Sequence, residues 1–559
     1  MNQTVEKLNH REHILKLPDT YIGSVEKSAE ENWVFNHECG KIKKQLVNFI
    51  PGKYKIFDEI IVNAFDQYIR THQKNSTPDF AVKNIWITID KESGEIQVKN
   101  DGVGISVKQH ETEKVYIPEL IFGHLLTSSN YSKDKIAHVG GKNGYGAKLA
   151  NIYSAIFYLE TIDHIAEKKY RQQWKDNMSQ VGKPSITKNK QKPYTLIKYL
   201  PDYKRFGIEK LEDDMFKIMK RRAYDVAACT NNKVNVFFNG EKLPCKNFEN
   251  YIDLYLDNGK ETRVYEKVND RWEVAVAVSG FQEFEQISFV NGIFTNKGGK
   301  HVDYILNQVT KKLSDWISKK RKITVKPVYI RDNIVLFINC LIDNPSFNSQ
   351  TKENMTTIKS KFGSDCNISD KFINNLAKTG IVEKVIELAS MKENKAAKKN
   401  DGKKTNRVRD LPKLEDANFA GHKTKSKDCT LILTEGDSAK ATAMAGLAVV
   451  GRDSYGVFPL KGKPPNVKET KNVKKLNDNT EINAIKKAMG LQSGKEYNSL
   501  DDLRYGKIMI LSDQDEDGTH IKGLVFNLFH SLWPSLYKNP GFLNSMLTPV
   551  IKAKKGAQK

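Results

Sequence analysis

The chain has 559 residues, enough for roughly three or four domains, with 39% hydrophobic and 28% charged residues. Lys and Arg number 90 against 67 Asp and Glu, and this net charge of +23 points to a polyanionic partner, most simply nucleic acid. Six scattered cysteines without a Cys-x-x-Cys pair, a polar amino terminus and no apolar run near the roughly 20 residues of a membrane helix argue against a disulfide framework, a zinc site, a secretory signal and a membrane span. Residues 1–55 mix short polar and apolar segments, with a turn at Asp19-Thr20-Tyr21-Ile22-Gly23-Ser24. KIFDEIIVNAFDQYIR (55–70) predicts a helix, and NIWITID and GEIQVKN alternate as strands. The turn Asp101-Gly102-Val103-Gly104, a long loop, a glycine run at 139–148 and the strands YTLIKYL and KVNVFFNG follow. Residues 1–245 therefore read as an α+β domain with helices on one face of a mixed sheet.

Residues 246–390 read as a second, α/β domain, with strands EVAVAVS, QISFVNG and NIVLFINCLI and a basic helix ending in Lys319-Lys320-Arg321-Lys322. Residues 391–427, polar and rich in Lys and Asn, are expected to be a linker or mobile basic arm. In 428–559 the strands CTLILTEG and YGKIMILSDQD alternate with helical stretches, which predicts a parallel sheet. The fold class is α+β and α/β, multidomain.

The run Val139-Gly140-Gly141-Lys142-Asn143-Gly144-Tyr145-Gly146-Ala147-Lys148 precedes an apolar helical pattern. Glycines let backbone N–H groups approach a ligand, and a helix start adds positive potential, so the run reads as a phosphate cradle. It fits neither common template. Ala147 separates Gly146 from Lys148 where a Walker loop needs Gly-Lys-Ser/Thr, and Leu149 occupies the third glycine position of a dinucleotide fingerprint. Upstream, Glu59, Asn63 and Asp66 share one helix face. A carboxylate one turn from an amide suits deprotonation of a water and coordination of Mg²⁺ through the amide oxygen. Asn100, Asp101 and Gly104 end a strand in a tight turn whose polar groups suit an adenine edge, and Thr195 lies on a later strand.

A second constellation lies near the carboxyl end. Glu435 follows one strand, and Asp513-Gln514-Asp515-Glu516-Asp517 follows another. Carboxylates at the ends of neighbouring parallel strands converge in one crevice, and Asp513 and Asp515, two apart, are expected to point the same way. The set suits one or two Mg²⁺ ions. An EF-hand is excluded because its twelfth position is Leu524 and a strand precedes the loop.

Helix, Asp-Gly-x-Gly turn and glycine lid, in this order, resemble the ATP-clamp superfamily of gyrase, mismatch-repair ATPases, certain chaperones and histidine kinases. YKIFDEIIVNAFD, LLTSSNY, GGKNGYGAK, NPSFNSQTKENM, LTEGDSAK and LRYGKIMILSDQDEDGTHIKGL narrow this. They resemble, in order and across nearly the whole chain, the type IIA DNA topoisomerase II of eukaryotes and large DNA viruses. The resemblance implies an ATP-clamp α/β sandwich, a transducer domain and a TOPRIM domain. It makes Glu59 the general base for ATP hydrolysis, Asn63 the ligand of ATP-bound Mg²⁺, and Asn100 the adenine contact. Ser128, Ser129 and Asn130 would line the nucleotide, and Gly141 to Lys148 would wrap the triphosphate. Gln350, Thr351 and Lys352 would come from the transducer, with Lys352 catalytic at the γ-phosphate. PDTYIGS resembles the amino-terminal strap that subunits of the family exchange.

Glu435, Asp513 and Asp515, with Asp517 nearby, are similar to the TOPRIM Mg²⁺ set for DNA breakage and rejoining. Lys461 and Lys463 match a DNA-facing loop in which relatives carry Arg first, and Lys319, Lys320, Arg321 and Lys322 match a loop that touches duplex DNA. The family's cleavage tyrosine lies on a domain that follows the metal domain and is not found in this sequence. The expected partners are double-stranded DNA, a second copy joined through the ATPase domain, and a breakage-reunion domain in a longer chain or a separate, gyrase-A-like subunit. The expected setting is the nucleus or a viral replication site in the host cytoplasm, without a membrane. A nucleotide-gated DNA clamp without cleavage is the alternative of a different class.

Overall fold

The computed structural model describes residues 7–72, 80–127, 138–141, 144–230, 232–257, 262–280, 283–399, 401–470, 476 and 478–547. Two compact units divide the chain, residues 1–386 and 387–559. No helix among the described residues is long and apolar enough to cross a membrane.

The first unit opens with a hairpin, β1 (Ser28–Asn36) and β2 (Lys41–Phe49), that feeds helix α1 (Pro51–Thr71). Pro51 at the first turn supplies a preset φ and lacks an N–H that would go unpaired there. Strands β3 (Asn84–Ile89) and β4 (Ile96–Asp101) come next. Helix α2 (Gly146–Ile152), strands β5 (Ser154–Asp163), β6 (Lys168–Lys175) and β7 (Tyr194–Pro201), helix α3 (Asp213–Cys229) and strand β8 (Asn235–Phe238) complete the layer. Its nine-stranded sheet has the main order β8-β3-β4-β7-β5-β6, with two-residue strands at both ends. The sheet is mixed as expected, because β8 pairs parallel with β3 while β3, β4, β7, β5 and β6 pair antiparallel.

The same unit continues through β9 (Arg263–Asn269), β10 (Trp272–Val278), β11 (Glu285–Val290), helix α4 (Lys300–Arg321) and β12 (Ile334–Cys340). All seven residues of β12 are buried, the signature of a strand covered on both faces. One apolar core runs through both layers, taking in Ile60 and Ile61 of α1 as well as Ala275, Ile287, Val335 and Phe337.

Helix α5 (Ile381–Lys399) crosses the division between the units. The second unit then contains β13 (Thr430–Glu435), α6 (Gly436–Val450), β14 (Tyr455–Leu460), α7 (Thr480–Met489), β15 (Lys507–Leu511), α8 (Glu516–Leu532) and β16 (Leu543–Ser545). The sheet order is β14-β13-β15-β16, parallel throughout, as the βα alternation predicts.

The expected linker at 391–427 is corrected. Helix α5 reaches Lys399, and the described residues from 401 pack onto the second unit. Gly402 N–H donates to the Leu491 carbonyl at 2.8 Å, and Lys486 pairs with Asp401 at 2.9 Å. The fully buried Arg504 donates to the Thr405 carbonyl and to Asp416, both at 2.7 Å, and Ala417 and Ala420 enter the core. The polar composition reflects side chains that find charged partners far along the chain.

Candidate nucleotide site and acidic site

A cleft opens between α1, the β4–β7 face of the large sheet and the start of α2. Register explains its far wall: Val98 pairs with Ile197 and Asn100 with Thr195, so both pairs project from the same face of adjacent strands. Ile105, Ile121 and Phe122 add apolar surface, and all of these residues line the cleft. This wall suits a flat heterocycle, with the Asn100 and Thr195 side chains as polar contacts.

The near wall is α1. Glu59 and Asn63 line the cleft as their spacing predicts. Glu59 is 2% exposed, and its Oε1 accepts from Lys352 Nζ at 2.9 Å and from Lys55 Nζ at 2.7 Å. Burial pushes the Glu59 carboxyl up, but Lys352 and Lys55 outweigh it and hold it below the usual range. Lys352 itself has φ 61, a left-handed backbone that is rare for a lysine.

Gly141, Gly144, Tyr145, Gly146, Ala147 and Lys148 complete the lining on the glycine-run side. A Cβ on Gly146 would stand 2.0 Å from Glu59 Oε2, so only glycine lets this backbone come so close to the carboxylate. Gly146→Ala is therefore expected to destabilise the first unit by about 1–3 kcal/mol, the usual cost of overpacking, as read by denaturant titration. An unchanged unfolding midpoint in Gly146→Ala would show that the Glu59 carboxylate moves aside without cost. Lys148 is buried, donates to the Thr127 carbonyl at 2.7 Å, and is lowered by that burial to about 8. Tyr21 meets Tyr145 at a tilt, with ring centroids 6.0 Å apart.

Three expected nucleotide contacts are corrected, since Asp66, Asp101 and Thr351 do not line the cleft. Asp66 accepts from Gly140 N–H at 2.7 Å and Gly141 N–H at 2.9 Å, and so anchors the base of the glycine run. Asp101 accepts from the Lys83 and Asn84 backbone N–H groups at 2.7 and 2.8 Å and ties the turn to β3. Thr351 faces Gly23, while Gln350 and Lys352 on either side do line the cleft. Asp66 spends its oxygens on backbone N–H groups, Asp101 spends its own on backbone N–H groups and on Asn84 Nδ2, and the Thr351 hydroxyl meets Ser349 Oγ at 2.6 Å. Ser128, Ser129, Asn130, Lys142 and Asn143 lie outside the described residues. Sequence reasoning missed Gln67 and Arg70 in the lining and Lys55 beside Glu59. Lys55 had a signal, being four residues before Glu59 on a helix.

The second layer holds the base of the glycine run. Asn291 Nδ2 donates to the Ile342 carbonyl at 3.0 Å and lies 3.5 Å from the Val139 carbonyl, and His138 Nε2 contacts Asp343 Oδ1 at 2.8 Å. Deeper, Arg222 of α3 donates to Asp58 Oδ1 at 2.7 Å and to the Gly292 carbonyl at 2.8 Å, joining α1 to the turn after β11.

In the second unit, Glu435 closes β13, and burial followed by repulsion from Asp515, Asp513 and Asp517 raises its carboxyl above the ordinary value. The three aspartates thus lie near enough to Glu435 to repel its charge, and Glu435 Oε2 is buried without a hydrogen-bond partner among the described residues. No group of three His, Cys, Asp or Glu among the described residues is already gathered tightly enough to hold a metal ion. The expected strand-end alternation is corrected: β15 stops at Leu511, and Asp515 is the N-cap of α8, its Oδ1 accepting Gly518 N–H at 2.7 Å. Lys463 pairs with Asp517 at 2.7 Å, and Lys461 is exposed beside it in sequence. At the end of α4, Lys319, Lys320 and Lys322 are exposed, and Arg321 pairs with Glu383 at 2.8 Å.

A family model for DNA gyrase B matches residues 247–405, and one for the Toprim domain matches residues 430–543. The chain is 49% identical over 569 residues to DNA topoisomerase 2 of Candida glabrata, covering 99% of this chain and 40% of that protein. It is 47% identical over 566 residues to DNA topoisomerase 2 of Drosophila melanogaster, covering 99% of this chain and 38% of that protein. The chain thus spans about 40% of the length of such relatives. Among solved structures, the ATPase region of Saccharomyces cerevisiae topoisomerase II is 46% identical with a TM-score of 0.64, covering 69% of this chain and 99% of that one. The ATPase and transducer domains of DNA topoisomerase II from Balamuthia mandrillaris are 44% identical with a TM-score of 0.65, covering 70% of this chain and 98% of that one.

Proposed function

Because this chain belongs to the DNA topoisomerase II family, we propose that its first unit binds and hydrolyses ATP, and that its second contributes the Mg²⁺ site of a type IIA topoisomerase. The observation that carries the reading is the buried contact of Lys352 with Glu59, made inside the cleft by a residue from beyond the second sheet. Val98, Ile197, Asn100 and Thr195 take the adenine, and the glycine run takes the phosphates.

Glu59 accepts a proton from a water whose oxygen forms a bond to the γ-phosphorus. The bond from that phosphorus to the bridging oxygen breaks, and the electron pair leaves with ADP. Lys352 moves from Glu59 to the γ-phosphate and stabilises the charge that develops there. Asn63, which lines the cleft beside Glu59, presents its amide oxygen for an ion on the triphosphate. Glu435, Asp513 and Asp515, with Asp517 adjacent, would hold Mg²⁺ in the second unit; the donor set is all oxygen, and the unpartnered Glu435 Oε2 fits a ligand role. When bound, Mg²⁺ neutralises phosphate charge at each site. These carboxylates have no task in a clamp that never cleaves DNA.

Duplex DNA, a second copy and a breakage-reunion domain are the partners of this reading, and its setting is wherever the cell or a virus handles DNA. Lys319, Lys320, Arg321, Lys322, Lys461 and Lys463 supply phosphate contacts, which are sequence-independent and salt-sensitive. An ATPase assay on the purified chain, with and without duplex DNA, tests the proposal. DNA-stimulated hydrolysis is expected, and absence of any hydrolysis would overturn it. Substituting Lys319, Lys320 and Lys322 by Ala is expected to weaken DNA binding alike for all sequences, and to reduce the log–log salt slope by roughly one per lysine.

A further inference from the structure

Glu59 is met by two cations on the same oxygen. Lys352 Nζ stands 2.9 Å from Oε1, and Lys55 Nζ stands 2.7 Å from it. The other oxygen, Oε2, faces the backbone of Gly146. The two lysines are not equivalent. Lys352 lines the nucleotide cleft, whereas Lys55 does not; it borders a smaller cavity behind α1, lined also by Tyr54, Asp58, Arg221 and Thr351.

Among the described residues, Lys55 Nζ meets a second carboxylate and Lys352 Nζ meets only Glu59. Lys55 Nζ lies 3.4 Å from Asp58 Oδ2, and Asp58 Oδ1 accepts from Arg222 Nε at 2.7 Å. Arg222 in turn donates to the Gly292 carbonyl at 2.8 Å. Lys55 is 3% exposed and Arg222 0% exposed, so neither charge has water to fall back on.

We propose that Lys55 is the positioning residue that keeps Glu59 charged and aimed at the attacking water after Lys352 has turned to the γ-phosphate; this rests on the assignment of Glu59 as general base. The physical need is direct. A carboxylate buried to this degree is stable only beside a cation. If Lys352 were the sole partner, its departure would favour a proton on Glu59 at the moment a base is required. Lys55 removes that conflict: it approaches from one helical turn away, stays on Oε1, and leaves Oε2 toward the cleft. The charged groups that bear on Glu59 are Lys352, Lys55 and Asp58, and Asp58 opposes the two lysines. Lys55 touches no cleft surface, so its effect passes through Glu59.

The test compares Lys55→Met and Lys55→Arg in the full chain. Lys55→Met is expected to lower kcat roughly tenfold to a hundredfold, with the affinity for a non-hydrolysable ATP analogue changed less than about threefold. The acidic limb of its kcat–pH profile is expected to move up by about one pH unit or more. Lys55→Arg is expected to restore most of the rate and the original limb. Unaltered kcat and limb in Lys55→Met would overturn the proposal, as would a loss of analogue binding in step with kcat.

A thermal-unfolding cycle of Lys55→Met, Glu59→Gln and the double variant reads the Lys55–Glu59 coupling without any turnover. Additive shifts would overturn the proposal. If the unsubstituted chain hydrolyses no ATP, the functional reading fails, and the cycle still decides whether Lys55 holds Glu59.

Discussion

Glu59→Gln is expected to lower kcat for the proposed ATP hydrolysis by on the order of 10²- to 10⁴-fold, with the affinity for a non-hydrolysable analogue changed less than about threefold. The amide keeps the size of the side chain and an oxygen that accepts from Lys352 or Lys55, but it takes no proton from water. The cleft wall of Val98, Asn100, Thr195 and Ile197 is untouched, so the ground-state complex survives. A pH profile adds a second check. Glu59 in the folded chain titrates below its ordinary value, so its charge is present above that value and is lost as the pH falls through the lowered one. The acidic limb of the unsubstituted enzyme should therefore lie below the ordinary glutamate range, and Glu59→Gln should have no limb from this residue. A variant that kept more than about a tenth of the rate would show that another group takes the proton.

Arg222→Met is expected to destabilise the first unit by about 3–5 kcal/mol, because it leaves Asp58 short of a partner in a buried site. It also orphans the Gly292 carbonyl, which accepts from Arg222 at 2.8 Å. Removing both charges together, as Asp58→Leu with Arg222→Met, should recover much of the loss, since an apolar pair of similar volume tolerates burial. Denaturant titration of the single and double variants measures the coupling. Equal losses in Arg222→Met and the double variant would mean that the ion pair is not what the site depends on. Gly292 has φ 73, and a Cβ there would meet Phe65 at 2.4 Å, so this turn has little freedom to re-form around a missing arginine.

The fold was legible where its signals are local. The helix face carrying Glu59 and Asn63, the parallel sheet of the second unit and the glycine run all follow from short-range periodicity and glycine chemistry. The failures share one physical cause, which is that spacing shows where a side chain points and not what it meets. Asp66 and Asp101 have the expected spacing, but their oxygens are taken by backbone N–H groups and, for Asp101, by the Asn84 amide as well. The segment after Lys399 reads as a linker because its partners are remote; Arg504 lies 99 positions from Thr405 and 88 from Asp416. Lys55 carried only its spacing of four from Glu59 as a signal, one that any exposed helix face also shows.

The left-handed backbone of Lys352, at φ 61, sets the poise of the switch. Holding a residue other than glycine there costs on the order of 1 kcal/mol, and the contact with Glu59 carries that cost for as long as it persists. The resting arrangement is thus shallower than the same ion pair built on relaxed backbone. Glycine takes this backbone without cost but has no ammonium to offer Glu59, so the lysine holds the position in spite of the strain.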